Sequence, residues 1–307
     1  MSRPPLPIAE YSSEKLRLRL VAPPSDLAPY LSGYYRTEVA EGATVEDWLP
    51  PEEANLRTGE AEFYQAAIGN EDMRDVPPAI ISGPTDRVTR LRIIHGKFWG
   101  IGLTPAGWSR LIGLPAHESA NSFVDIGTSG APASLEPMLH ELRAIGDDLE
   151  SAAQLINSTL RDVLEPDASN EQAIQAVHRE VISEDHYAVA PLAEAAGMNP
   201  RTLARFSQRH FGFVPRILLR RQRFLRSLGQ YMLDPSMRWI NSLDSHYWDQ
   251  AHFIRDFRAT MGMTPSEYAK RPHPIVTAAV TVIHQGGGVA MQALYHPDHA
   301  PAAQTGL

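Results

Sequence analysis

"NPRTLARFSQRHFGFVPRILLRRQRFLR", residues 199–226, holds eight arginines and no carboxylate, in a chain whose formal charge is −8. Residues 1–170 carry 14 basic and 25 acidic side chains, a net of −11. Residues 171–198 add −4, residues 199–226 add +8, and residues 227–307 add −1. Charge polarised in this way sets one local surface apart for a polyanion, although the overall balance would argue against such a partner.

The punctuation of the stretch is helical. Asn199 is a good N-cap, Pro200 suits the first helical position, where its missing N–H is not needed, and Gly212 fits the C′ position. Upstream, "PLAEAAGM" reads as a short helix through Ala196 with Gly197 at a tight turn, which makes the pair a helix-turn-helix. On its second helix Leu203, Phe206 and His210 form an inward stripe, and Arg201, Arg205, Gln208 and Arg209 form another on the far side. Guanidinium groups on such a helix can pair bidentately with guanine, or otherwise with phosphates.

The pattern returns fifty residues later. Leu203, Arg205, Gly212 and Pro215 fall on Phe253, Arg255, Gly262 and Pro265, so one helical motif is used twice. In the second unit Asp249 is the N-cap, Phe253, Phe257 and Met261 share the inward face, and Gln250, His252, Arg255 and Arg258 are expected outward. The intervening "VPRILLRRQRFLRSLGQYMLD" has helical spacing, and about 20 residues of helix span roughly 30 Å. That is close to the separation of about 34 Å at which paired readers enter successive major grooves.

Upstream of the basic half the period changes. "KLRLRLVA" alternates as a half-buried strand does, "GYYRTEVAEG" and "AEFYQAAIG" are short strand-like runs, and "TRLRIIHGKFWGIGLT" predicts a hairpin turning at His95-Gly96. "PAGWSRLIGLP" predicts a short helix, and from Leu135 the leucines 139, 142, 155, 160 and 164 follow helical spacing with a break at Gly146. These helices serve either as the domain's own closing layer or as a dimer contact. The fold class is α+β: an N-terminal antiparallel, barrel-like β domain with flanking helices over 1–166, an all-α domain of two helix-turn-helix motifs joined by a long helix over 171–272, and a loose tail over 273–307.

Composition closes off several chemistries. The chain has no cysteine, so disulfides, thiolate zinc sites and thiol nucleophiles are excluded. No signal-peptide core is read at the N-terminus and no apolar run is long enough to span a bilayer, so a cytoplasmic protein without membrane attachment is expected. The strand region offers only His95 and His117 as histidine ligands, too few for a metal-dependent catalytic site of two or three His with a Glu. No Ser-His-Asp spacing or phosphate-cradling glycine loop is present. No catalytic residue, metal or cofactor is therefore expected, and Trp99, Trp108, Tyr34, Tyr35 and Phe63 are assigned to core packing, with an effector pocket wall as the alternative.

"LAEAAGMNPRTLARFSQRHFG" with the later proline, the linking helix and "YWDQAHFIRDFRATMGMTPSEY" resembles the DNA-binding region of AraC/XylS-type transcription regulators, over about residues 172–272. "RVTRLRIIHGKFWGIGLTPAGWSRLIG" is similar, more weakly, to the cupin-like regulatory domains ahead of such regions. The resemblance implies double-stranded DNA as partner, generally activation of transcription with RNA polymerase, a homodimer, and control by a small-molecule effector whose site residues are unknown. Carried over by position, the DNA-binding residues are Asn199, Arg201, Thr202, Arg205 and Arg209 in the first unit, and Gln250, His252, Arg255 and Arg258 in the second. The second unit departs from the family in His246 where a turn glycine is usual and in Asn241 and Ser242 within the supporting helix; in the first, Phe206 precedes the usual aromatic position, which Ser207 takes. The first unit and the linker are therefore expected to supply most of the affinity. Two rival readings of the N-terminal half remain, a protein-interaction module and a cupin enzyme fused to a DNA-binding domain.

Overall fold

The computed structural model describes residues 8–164, 170–183, 188–233, 245 and 247–285. Eight antiparallel strands open the chain: β1 (Ile8–Ser12), β2 (Leu16–Val21), β3 (Leu31–Leu49), β4 (Ala54–Ile68), β5 (Arg74–Asp75), β6 (Ala79–Ser82), β7 (Thr89–Leu103) and β8 (Phe123–Asp125). Their order across the sheet is β1-β2-β3-β7-β4-β6-β8, with β5 beside β4. The long strands β3, β7 and β4 form its centre, and no pairing among the described residues joins β1 to β8 into a closed barrel.

The hairpin expected at His95-Gly96 is not there: β7 runs straight through it. Ala61 pairs with Gly96 and Phe63 with Ile94, leaving Glu62 and His95 unpaired, and His95 takes φ 36°. A polar residue before glycine signalled positive φ correctly, but β7 uses that conformation within a continuous strand, opposite the place where its pairing with β3 jumps from Val39 with Gly96 to Thr44 with Ile94.

One face of the sheet is covered locally. A short helix, α1 (Pro105–Gly107), capped by Thr104, widens through Trp108–Ile112 and stops at Gly113. The helices α2 (Leu135–Ile145) and α3 (Leu149–Val163) meet at Gly146 and lay Leu135, Leu139, Leu142, Ile156 and Leu160 on the sheet beside Tyr34, Trp99 and Trp108. Of the leucines read from the spacing, Leu139, Leu142 and Leu160 are buried in this domain's own core, and Leu155 and Leu164 are partly buried against it. The expected boundary at 166–171 falls next to residues 165–169, which lie outside the described residues.

The second half is helical: α4 (Glu171–Ile182), α5 (Val189–Ala195), α6 (Pro200–Phe211), α7 (Pro215–Leu233), α8 (Gln250–Met261), α9 (Pro265–Tyr268) and α10 (Pro274–Gln285). The two halves share packing. Ala106 joins the core of the first helical unit, Val88 joins that of the second, and the Val88 N–H donates to the Thr260 carbonyl of α8 at 2.8 Å.

The loose tail expected over 273–307 is corrected over its first part. Residues Pro274–Gln285 are the helix α10, packed on β1, β2, β3 and α7 with Val276, Ala279, Val282 and Ile283 buried. The sequence offers no local N-cap for it; the cap comes from β3. Asp47 accepts from the Ile275 N–H at 2.7 Å and the Val276 N–H at 3.0 Å, and its other oxygen meets His273 Nδ1 at 3.2 Å. Residues 286–307 lie outside the described residues.

Candidate nucleic-acid interface and the adjoining chamber

The first helical unit is built as its punctuation predicts. Gly197 takes φ 60° between α5 and α6, the Asn199 side chain accepts from the Thr202 N–H at 3.0 Å, and Gly212 ends α6 at φ 83°. Leu203, Phe206, Ser207, His210 and Phe211 are buried, leaving Arg201, Thr202, Arg205, Gln208 and Arg209 exposed on the opposite face. Asn199 is exposed too, but its side-chain oxygen is committed to the cap. His210 lies with its ring 4.6 Å from Phe206 and Nδ1 3.3 Å from the Ser109 hydroxyl. Burial, and to a lesser degree Arg209, pull its pKa down to about 4.

The helix α8 repeats the design with one change. Asp249 caps it, accepting from the His252 N–H at 2.7 Å, and Phe253, Phe257 and Met261 are buried. Gln250, Arg255 and Arg258 are exposed as expected. His252 is not fully outward: its Nε2 lies 3.3 Å from Arg223 Nη2 and 3.8 Å from Asp256 Oδ2, and its ring meets Tyr247 at 5.2 Å. A polar residue one turn from Asp256 is drawn to the charges behind the helix. Trp248, which the spacing did not single out, is 93% exposed immediately before the cap. Asn241, Ser242 and His246 lie outside the described residues.

The eight arginines divide. Arg201, Arg205, Arg209 and Arg216 are exposed. Arg223 bonds Asp256 at 2.6 Å and lies 4.5 Å from the Tyr247 ring centre, and Arg226 donates to the carbonyls of Ile182 and Ser183 at the end of α4. Arg220 reaches Asp86 at 3.6 Å. Arg221 is buried, donating to the carbonyls of Glu52 and Thr85, with Glu53 at 3.9 Å and burial pulling its pKa below the ordinary arginine value. Glu53 also bonds His178 of α4 at 2.9 Å, and Arg110 pairs with Glu171. Acidic groups of the first half thus engage α7, while the arginine stripe of α6 stays open.

On the sheet face away from α2 and α3 lies a chamber of about 830 Å³. Small residues make room for it: Gly33, Gly59, Ala61 and Gly102 line it, and a Cβ at Gly100 would overlap the ring of Tyr35. The polar centre is Arg57, whose Nη2 bonds Glu52 at 2.6 Å and whose Nε donates to the Tyr35 hydroxyl at 2.8 Å. The roof comes from the helical half: Leu228 and Met232 of α7, and Val276, Ala279 and Ile283 of α10. The sequence signal was the alternation of glycine in "GKFWGIGL", since Gly96, Gly100 and Gly102 share one face of a strand. Among the described residues no group of three or more His, Asp or Glu could hold a metal ion, and no helix is long and apolar enough to cross a membrane.

Residues 192–271 match the family model described as a helix-turn-helix domain. Among solved structures, an apo form of ToxT from Vibrio cholerae strain SCE256 aligns at a TM-score of 0.42 and 11% identity, over 84% of this chain and 98% of that one. Wild-type ToxT of the same strain, bound to an unsaturated fatty acid, aligns at 0.40 and 10% identity, over 84% and 96%. The AraC-like transcriptional activator CuxR aligns at 0.25 and 9% identity, over 70% and 78%. No curated protein matches the chain. Residues 192–271 are a helix-turn-helix domain of the AraC type that the sequence resembles, and DNA is the partner such a domain binds.

Proposed function

We propose that this chain is a sequence-specific transcription regulator that binds double-stranded DNA through α6 and α8 and acts by binding, not by catalysis. The observation that carries this reading is the open stripe on α6. Arg201, Arg205, Gln208 and Arg209 stand exposed on a capped helix behind a tight turn, with no acid of the chain paired to them among the described residues. Arginine contacts to phosphate give register and general affinity, and the outward residues of α6 and α8 choose the sequence. Work on DNA in the cytoplasm as a homodimer, activating through RNA polymerase, completes the proposal. Mapping the occupied sites of the full chain and measuring its affinity for them tests it. Binding to mapped sites no tighter than to random DNA at equal salt would sink it.

Control falls to the chamber. A small molecule held there would touch the sheet below and both α7 and α10 above, so its binding energy would act on the helix α7 that joins the two DNA-binding units and on α10 packed against it. A partner protein would instead need an apolar patch on the N-terminal half. Among the described residues the exposed large apolar side chains are Leu233 and Trp248, and both belong to the helical half.

A further inference from the structure

Resting on the chamber as the effector site, we propose that its ligand is an uncharged, mostly apolar small molecule whose one hydrogen-bond acceptor, a carbonyl or hydroxyl oxygen, is bound by Arg57 beside Tyr64.

The apolar part follows from the walls. Leu18, Leu20, Ile93 and Phe98 face the chamber from the sheet, and the roof is aliphatic. A volume of about 830 Å³ suits a body the size of a drug-like molecule.

The acceptor follows from the donors. Arg57 uses Nη2 on Glu52 and Nε on Tyr35, while Nη1 makes no hydrogen bond among the described residues. The Tyr64 hydroxyl lines the same chamber and also makes none there. Burial raises its pKa to about 12, so it stays protonated and can donate. Tyr35 is already engaged, accepting from Arg57 and donating to Asn55 Oδ1 at 3.3 Å. A ligand oxygen is what this pair of donors lacks.

The absence of charge follows from Glu52. Its carboxylate, 2.6 Å from Arg57, already balances the guanidinium at the polar centre of the chamber. An anionic ligand would set a second carboxylate against the same guanidinium in a mostly apolar enclosure, where the further cation of the lining, Arg143, is outnumbered by Glu60, Glu62 and Asp75. The exposed part of the wall adds to this, since Glu60, Glu62 and Asp75 stand there.

The test uses the full chain and three probes of one medium chain length: a methyl ketone, the primary alcohol and the carboxylate. Binding is measured by calorimetry and by the rise in melting temperature. The ketone and alcohol should bind and the carboxylate should bind at least about tenfold more weakly, as expected for one uncompensated buried charge. Glu52→Gln removes the balancing carboxylate and should move the preference toward the carboxylate by about tenfold or more. Ala279→Phe fills the chamber from its roof and should abolish binding of all three. A carboxylate bound by the wild type as tightly as the ketone, and lost in Ala279→Phe, would overturn the ligand class and leave the chamber as the site. Binding of none of the three probes would overturn the class and the chamber reading together. Should Glu52→Gln fail to fold, the order of affinities in the wild type still decides.

Discussion

The helices α6 and α7 follow one another in the chain, and both are rich in arginine with no acid of their own. Their arginines nevertheless do different work. On α6 all three are exposed, whereas on α7 Arg216 is exposed and Arg220, Arg221, Arg223 and Arg226 meet carboxylates or carbonyls of other elements. What separates them is whether another element arrives with an acceptor, and that is fixed by tertiary structure. A basic run in sequence is thus an upper bound on a nucleic-acid footprint. The expectation that the linker supplies much of the affinity narrows to Arg216.

The contrast can be broken most severely through the core that supports α8. Phe257 is fully buried between Phe224, Phe253 and Tyr268, so Phe257→Ala should cost about 3–5 kcal/mol of stability. Denaturant titration measures this, and an unchanged midpoint would contradict the packing of the second unit.

Arg223→Ala comes next. It leaves the buried Asp256 with His252 at 3.8 Å in place of its 2.6 Å partner and should destabilise by about 3 kcal/mol, with DNA binding lost only as far as the chain unfolds. Arg205→Ala should do the reverse, leaving the melting temperature unchanged and costing about 1–3 kcal/mol at a specific site if Arg205 pairs with guanine. Scrambling the half-site under Arg201, Arg205 and Arg209 should cost more than scrambling the one under Gln250, Arg255 and Arg258, because His252 is turned toward Arg223 and Asp256. Equal losses would show that the two readers are equivalent.

His210 gives a finer test on the buried side of α6. Its pKa lies near 4 in the folded chain against an ordinary 6.5, so protonation favours the unfolded state. The stability it contributes is complete above about 6.5 and is lost as pH falls toward about 4. In His210→Leu the acid-side slope of stability within that window should shrink; an unchanged slope would mean the ring titrates freely.

Much of this was legible in the sequence for a physical reason: caps, turn glycines and inward stripes are local. Asn199, Pro200, Gly212, Asp249 and Gly262 mark the ends of α6 and α8 as expected, and Phe253, Phe257, Leu203 and Phe206 are buried as their spacing requires. What was missed depends on residues far apart in the chain. The helix α10 borrows its cap from Asp47, more than two hundred residues earlier, so "PIVTAAVTVIHQ" read as part of a tail. His95-Gly96 read as a reversal because positive φ at His95 is what a turn asks, whereas here it sits within one strand opposite the register jump of β3 between Val39 and Thr44. The partners of Arg220 and Arg221 lie across the boundary between the halves, where no periodicity could point to them.

The most direct test compares Arg205→Ala with Arg223→Ala in the full chain, with affinity for one mapped site at fixed salt and thermal stability measured on the same preparations. The expected result is a clean division: Arg205→Ala loses affinity at an unchanged melting temperature, and Arg223→Ala loses melting temperature first. If Arg205→Ala kept its affinity and lost stability, the open stripe on α6 would not be a DNA-reading surface.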